Sequence, residues 1–131
     1  MIRSFCLAAA LAGVALVAGC GPSEKLYDIS GTITFGGKPI PKGLIFFDPD
    51  TSKGTPGAQG FANVEDGRYD TAARGKGKGI RGGTYNIRIS GFDGKEAPEA
   101  PFGQFLFPEH QLTKELPPRN QTFDYDVRKT R

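Results

Sequence analysis

From Thr84 to Ser90 the chain alternates without a break, with Tyr85, Ile87 and Ile89 on one parity and Thr84, Asn86, Arg88 and Ser90 on the other. Successive side chains of a strand point to opposite faces, so this run predicts a sheet with the first set inward and the second outward. The same period begins at Tyr27, where Tyr27, Ile29, Ile33 and Phe35 share the inward parity and Asp28, Ser30, Thr32 and Thr34 the outward one. Gly31 also falls on the inward parity, where a missing side chain marks a bulge or a close approach by another strand. Gly36-Gly37-Lys38-Pro39 reads as a tight corner. Leu44-Ile45-Phe46-Phe47 is apolar on both parities, so a loop is expected over Leu44 and Phe46. Gly60, Ala62 and Val64 alternate with Gln59, Phe61 and Asn63, and Asp66-Gly67 then supplies a hairpin signal before Arg68-Tyr69-Asp70-Thr71. Phe123, Tyr125 and Val127, alternating with Asp124, Asp126 and Arg128, form the last run. Nineteen glycines and ten prolines provide the turns that so many short strands require. About seven strands in one small domain predict an all-β fold, a β-sandwich.

Ahead of these strands, Met1-Ile2-Arg3 supplies a positive start and Phe5 to Val17 an apolar, charge-free stretch that ends in Leu16-Val17-Ala18-Gly19-Cys20. This resembles a bacterial lipoprotein signal, with small residues before the cut and a thiol after it to receive diacylglycerol. The stretch is shorter than the roughly 20 residues a spanning helix needs. The expected organisation is a signal peptide over 1–19, a lipidated Cys20 and polar tether over 20–26, and the sandwich over 27–131. The expected partner is membrane lipid, through acylated (palmitate-bearing) Cys20, with the domain in the cell envelope and facing the periplasm or exterior. Cys6 leaves with the signal and Cys20 carries the lipid, so no disulfide, thiolate metal site or cysteine nucleophile remains. A net charge of +3 is too small to point to nucleic acid.

Chemistry is sparse. His110, the only histidine, has no Gly-x-Ser-x-Gly elbow to serve, and a lone histidine without cysteines is a poor zinc set. Asp48, Asp50, Glu65, Asp66, Asp124 and Asp126 lack the spacing of a calcium loop and read as turn formers and solvated strand faces. Gly75-Lys76-Gly77-Lys78-Gly79 lacks the spacing of a phosphate loop. Arg74, Lys76, Lys78 and Arg81 are expected on a flexible basic loop, the candidate contact for an anionic envelope polymer or lipid head groups. No cofactor is expected. The stretch from Phe102 to Asn120 is expected to be irregular, with a short helical turn over His110 to Glu115 and with Phe102, Phe105 and Phe107 pinning it across the sandwich or across Leu44 and Phe46.

Ile29-Ser-Gly-Thr-Ile33, Gly36-Gly37-Lys38-Pro39-Ile40, Ile45-Phe-Phe47-Asp-Pro49, Asp66-Gly67-Arg68-Tyr69 and Gly83-Thr84-Tyr85-Asn86-Ile87 resemble, in this order, the motifs of carboxypeptidase regulatory-like domains. The resemblance covers roughly Tyr27 to Gly91. It implies a transthyretin-like, seven-stranded Greek-key sandwich, and its matched residues carry a fold and no reaction. The function expected is a non-enzymatic, lipid-anchored cell-envelope protein, a structural or partner-binding module whose partner is an envelope protein or glycan. One rival is a carbohydrate-binding module using exposed Phe46, Phe61 or Phe105. The other is a hydrolase, which would show a cleft holding two carboxylates or a carboxylate near His110.

Overall fold

A computed structural model describes residues 25–128. Its strands are β1 (Ile29–Phe35), β2 (Lys38–Pro39), β3 (Lys42–Pro49), β4 (Gly60–Glu65), β5 (Arg68–Asp70), β6 (Gly77–Lys78), β7 (Gly83–Phe92), β8 (His110–Leu116), β9 (Gln121–Thr122) and β10 (Tyr125–Val127). The only helical piece among the described residues is a 3-10 turn at Thr51–Lys53, capped by the Asp50 side chain. The strands form one curled sheet in the order β10-β1-β5-β4-β3-β7-β8, with β2 and β9 added on β1 and β6 on β4. Pairing is antiparallel except where β9 and β10 run parallel to β1. The fold is therefore all-β and sandwich-like, with seven strands on its main path.

The alternation explains the core. Ile29 and Ile33 on β1, Ile45 and Phe47 on β3, Ala62 and Val64 on β4, and Tyr85, Ile87 and Ile89 on β7 all point into the curl and are at most 1% exposed. Register keeps the rows together: Ile45 lies opposite Ala62 on one side and Ile89 on the other, and Phe47 opposite Ile87. The two outer strands, β8 and β10, meet through side chains: His110 Nε2 and the Tyr125 hydroxyl are 2.8 Å apart, and Lys114 Nζ lies 5.5 Å from the centre of the Phe123 ring.

Three expectations change. His110 to Glu115 is not a helical turn but most of β8, paired with β7 from Ile89↔His110 to Gly83↔Leu116. Leu112 and Leu116 satisfy a strand's parity as well as a helical spacing, and β7 needs a neighbour for its ladder. The Arg74–Gly83 segment is not an open loop, because Gly77 and Lys78 pair with Ala62 and Phe61 and Ile80 is fully buried. Its glycines serve close approach: a Cβ on Gly77 would lie 2.5 Å from the Thr71 carbonyl oxygen, and one on Gly79 2.4 Å from that of Tyr27. Ser90, expected outward on a wet face, is only 8% exposed and lies beside the Phe105–Glu109 segment.

Tyr69 ties the core to the last strands. Its hydroxyl donates to the Phe123 carbonyl at 2.6 Å, and burial, helped by the charge of Asp124, pushes the phenol well above its usual pKa. Stability that rests on the neutral phenol is fully present below the unfolded tyrosine pKa of about 10 and is lost as pH rises toward the folded value. The melting temperature should fall more steeply above about pH 10 in the natural protein than in Tyr69→Phe, which cannot ionise there. Parallel alkaline limbs for the two proteins would show that this phenol is not a determinant.

Candidate functional site

The site is built on the excursion between β7 and β8. Phe92 ends β7 and pairs with Phe105, which brings the chain back antiparallel to itself. Asp93 makes the neck: its side-chain Oδ1 accepts from the amides of Lys95 at 2.9 Å and Gln104 at 3.1 Å, while its own amide donates to the Gln104 carbonyl at 3.0 Å. Gly103, at φ +89°, takes a left-handed turn so close to Asp93 that a side chain there would collide with the carboxylate. Mutual amide-to-carbonyl bonds between Ala97 and Ala100 close the tip. The product is a hairpin-like flap over Asp93 to Leu106.

Beyond the flap, Phe107 is buried, 5.0 Å from the Phe35 ring, and seals the end of the core against Gly91. Phe102 and Phe105 do not follow it inward. They pack at a tilt against Phe92, at 5.6 and 4.6 Å between ring centres, and remain 45% and 66% exposed. Phe102 also closes a small cavity of about 40 Å³ over Leu44, so the loop expected above Leu44 is present. A groove of about 500 Å³ runs beside Phe105, lined by Ser90, Leu106, Phe107, Pro108 and Glu109.

Phe46 and Phe61 lie opposite each other on the outer face of β3 and β4, and both are half-buried. Phe46 is covered by Arg88, whose guanidinium lies 4.7 Å from the ring centre. Arg88 in turn bonds Asp48, Nε to Oδ2 at 2.5 Å, and Glu109, Nη1 to Oε2 at 3.4 Å. Burial opposes ionisation of Asp48, but bonds from Arg88 and Gln59 and the guanidinium's charge together hold its carboxyl below the usual range. Of the three aromatic candidates named for the carbohydrate-binding rival, only Phe105 is exposed.

No protein-family model, curated protein or solved structure matches this chain. The reading of the site therefore rests on its own geometry. Cys20 lies outside the described residues. Of the four cations of the basic segment, Lys76 pairs with Glu65 at 3.3 Å, Arg74 and Lys78 are exposed, and the stem of Arg81 packs along Gly57. His110 lines a groove with Asp124, Tyr125, Asp126 and Arg128, and a second cleft holds Glu65, Asp70 and Asp124 beside Arg68 and Lys76, so both arrangements named for the hydrolase rival are present. Each of the acids in the His110 groove has a bracing task. Asp124 accepts from the Thr32 amide and hydroxyl, and Asp126 accepts from the Thr34 hydroxyl and the Gly37 amide, bonds that hold its carboxyl below the usual range. Among the described residues no group of three histidines, cysteines or carboxylates is placed to hold a metal ion.

The feature that the sequence did not single out is Phe92 as the base of the aromatic cluster. Its parity outward at the end of the longest strand, three residues after Ile89, was the available signal.

Proposed function

We propose that this chain is a non-enzymatic, lipid-anchored envelope protein whose sandwich-like domain binds a partner through the Phe92–Phe102–Phe105 flap. The observation that carries the reading is the exposure of two phenylalanines packed on Phe92 in a braced hairpin, since large apolar rings left open on a small domain mark contact surfaces. Topology supports it. The described chain enters beside Ile80, at the end where β1 and β7 begin, whereas the flap follows the end of β7. An anchor at Cys20 would then hold one end near the membrane and present the flap at the other, toward the periplasm or exterior. The motif resemblance assigns the domain to the carboxypeptidase regulatory-like, transthyretin-like group, whose matched residues are structural. His110 fits this reading, because its ring nitrogen is engaged with the Tyr125 hydroxyl.

A partner protein is the first reading. Phe105 beside the groove of Ser90 and Glu109 also suits a glycan, since a sugar ring can stack on the phenyl face while its hydroxyls meet the two polar side chains. The test is capture from detergent-solubilised envelope with the natural protein and with Phe102→Ser/Phe105→Ser, alongside binding to an array of envelope glycans. Both rings are exposed, so the double variant should keep its melting temperature within about 1 kcal/mol of stability and lose the partner. Unchanged capture would refute the flap as the site. Intact mass of the membrane-extracted protein should begin at Cys20 with added acyl mass, and Cys20→Ser should leave an uncleaved or mislocalised chain. High salt should not release the natural protein, because the anchor is hydrophobic.

A further inference from the structure

We infer that the end of the domain at which the chain enters is a docking face for an anionic phospholipid surface. Register gathers its residues from four separate segments. Tyr27 exchanges two backbone bonds with Ile80 in an antiparallel bridge, which sets Lys25 opposite Gly82 and next to Arg81, and Lys25 Nζ lies 5.5 Å from the Tyr27 ring centre. The 3-10 turn carrying Lys53 is held to the start of β7 by bonds from the Asp50 amide to the Thr84 carbonyl and from the Thr84 amide to Thr55 Oγ1. Arg119 adjoins Asn120, whose side chain accepts from the Asp28 amide at 2.9 Å. Lys25, Lys53 and Arg119 are all exposed, and Lys114 lies opposite Tyr85 at the start of β7. The acids at this end are Asp28, Asp50, Asp70 and Glu115, and the first three spend an oxygen on Thr71, Ser52 and the Ala72 amide respectively.

The opposite end is close to balanced: Asp66, Asp93, Glu96, Glu99 and Asp126 stand against Lys38, Lys42, Arg68, Lys95 and Arg128, and Glu65 pairs with Lys76. An anionic surface therefore attracts the entry end more strongly than the other. Flap and docking face point in opposite directions.

The partner is identified by the length of chain between the lipid site and the domain. The inference rests on the proposed acylation of Cys20 for this step: four residues lie between Cys20 and Lys25, a span of at most about 18 Å when extended. A tether this short lets the cations come within one screening length of the head groups, about 8 Å at physiological salt.

The test needs no acyl chain. Among the described residues the core lies between Ile29 and Val127, so a chain from Gly21 to Arg131 retains all of it. This chain should co-sediment with vesicles containing phosphatidylglycerol at low salt, and with pure phosphatidylcholine vesicles at neither low nor physiological salt. Each basic residue near an anionic surface raises the partition coefficient about fivefold, so Lys25→Gln/Lys53→Gln/Arg119→Gln should weaken binding about 100-fold. Lys38→Gln/Lys42→Gln/Lys95→Gln removes the same charge from the opposite end and should leave binding within a few-fold. Equal losses in the two triple variants, no binding to anionic vesicles at low salt, or binding to a soluble polyanion with vesicles ignored would each overturn the proposal. Failure of the lipid anchor would register instead in the intact mass, leaving the vesicle result to be judged by itself.

Discussion

Replacing Ile87 with alanine should lower the unfolding free energy by about 2–5 kcal/mol, the range for truncating a large buried aliphatic residue. Ile87 is fully buried, with Phe47 opposite it on β3 and Leu112 opposite it on β8, so the cavity would open at the centre of three paired strands. Its neighbours provide the comparison. Asn86 is exposed and offers only an acceptor to the Thr113 hydroxyl, so Asn86→Ala should cost less than about 0.5 kcal/mol. Arg88→Ala falls between, at about 1 kcal/mol, because its pairing with Asp48 and its position over Phe46 are partly screened by solvent. Urea denaturation of the three variants would establish the order. If Asn86→Ala and Ile87→Ala cost the same, β7 does not present its parity to the core as described.

This ordering was legible because a strict period of two in Thr84–Ser90 admits only one sheet face for each residue. The same logic located Ile29, Ile33, Ile45, Phe47, Ala62 and Val64, all of which are buried. It also located the Asp66-Gly67 hairpin, where both residues take positive φ, as the turn type requires. It failed where one residue type serves two purposes. Glycine in Gly75–Gly79 was read for its freedom, whereas Gly77 and Gly79 are there for lack of a side chain, because the backbone of Thr71 and of Tyr27 passes within contact. Leucines at 112 and 116 fit both a helical turn and a strand, and only the open edge of β7 decides between them.

The flap shows a different limit. Phe102, Phe105 and Phe107 have the same composition and nearly the same spacing, yet only Phe107 is buried. What separates them is the Asp93 neck, which turns Gln104 back toward β7 and so leaves Phe102 and Phe105 packed outside on Phe92. That neck depends on Asp93 and Gly103 meeting across nine intervening residues, a pairing that no local periodicity encodes. Phe46 and Phe61 illustrate the converse. Their outward parity was readable, but the arginine that covers Phe46 arrives from a different strand, forty-odd positions along the chain and adjacent only through the register Phe46↔Arg88.

Gly31→Ala should be among the most damaging single-methyl additions in the domain, by about 3–5 kcal/mol. β9 and β10 follow β1 in one register, Ile29↔Gln121 and Ile33↔Tyr125, but the ladder is interrupted between them, where Phe123 and Asp124 cross Gly31. A Cβ at Gly31 would lie 2.1 Å from the Phe123 carbonyl oxygen, 2.7 Å from its carbon and 2.8 Å from Asp124 Oδ1. Backbone, not a pliable side-chain tip, is in the way. The crossing also carries its own bonds: Tyr69 donates to that carbonyl, the Phe123 amide donates to Ser30, and Asp124 Oδ1 replaces the missing ladder acceptor for the Thr32 amide at 2.8 Å. Moving the segment aside costs about 1–3 kcal/mol of overpacking and, for each bond released, about 1 kcal/mol more. The gain from replacing a strand glycine, about 0.5–1 kcal/mol, does not offset this. Gly36→Ala is the control: its φ of +57° makes alanine strained, but nothing lies within 4 Å, so about 1 kcal/mol is expected. Thermal melts of both variants would decide. Gly31→Ala should also expose the Tyr69 ring, seen as a change in near-ultraviolet circular dichroism, and a melt no lower than that of Gly36→Ala would mean that the crossing strand is not held against β1.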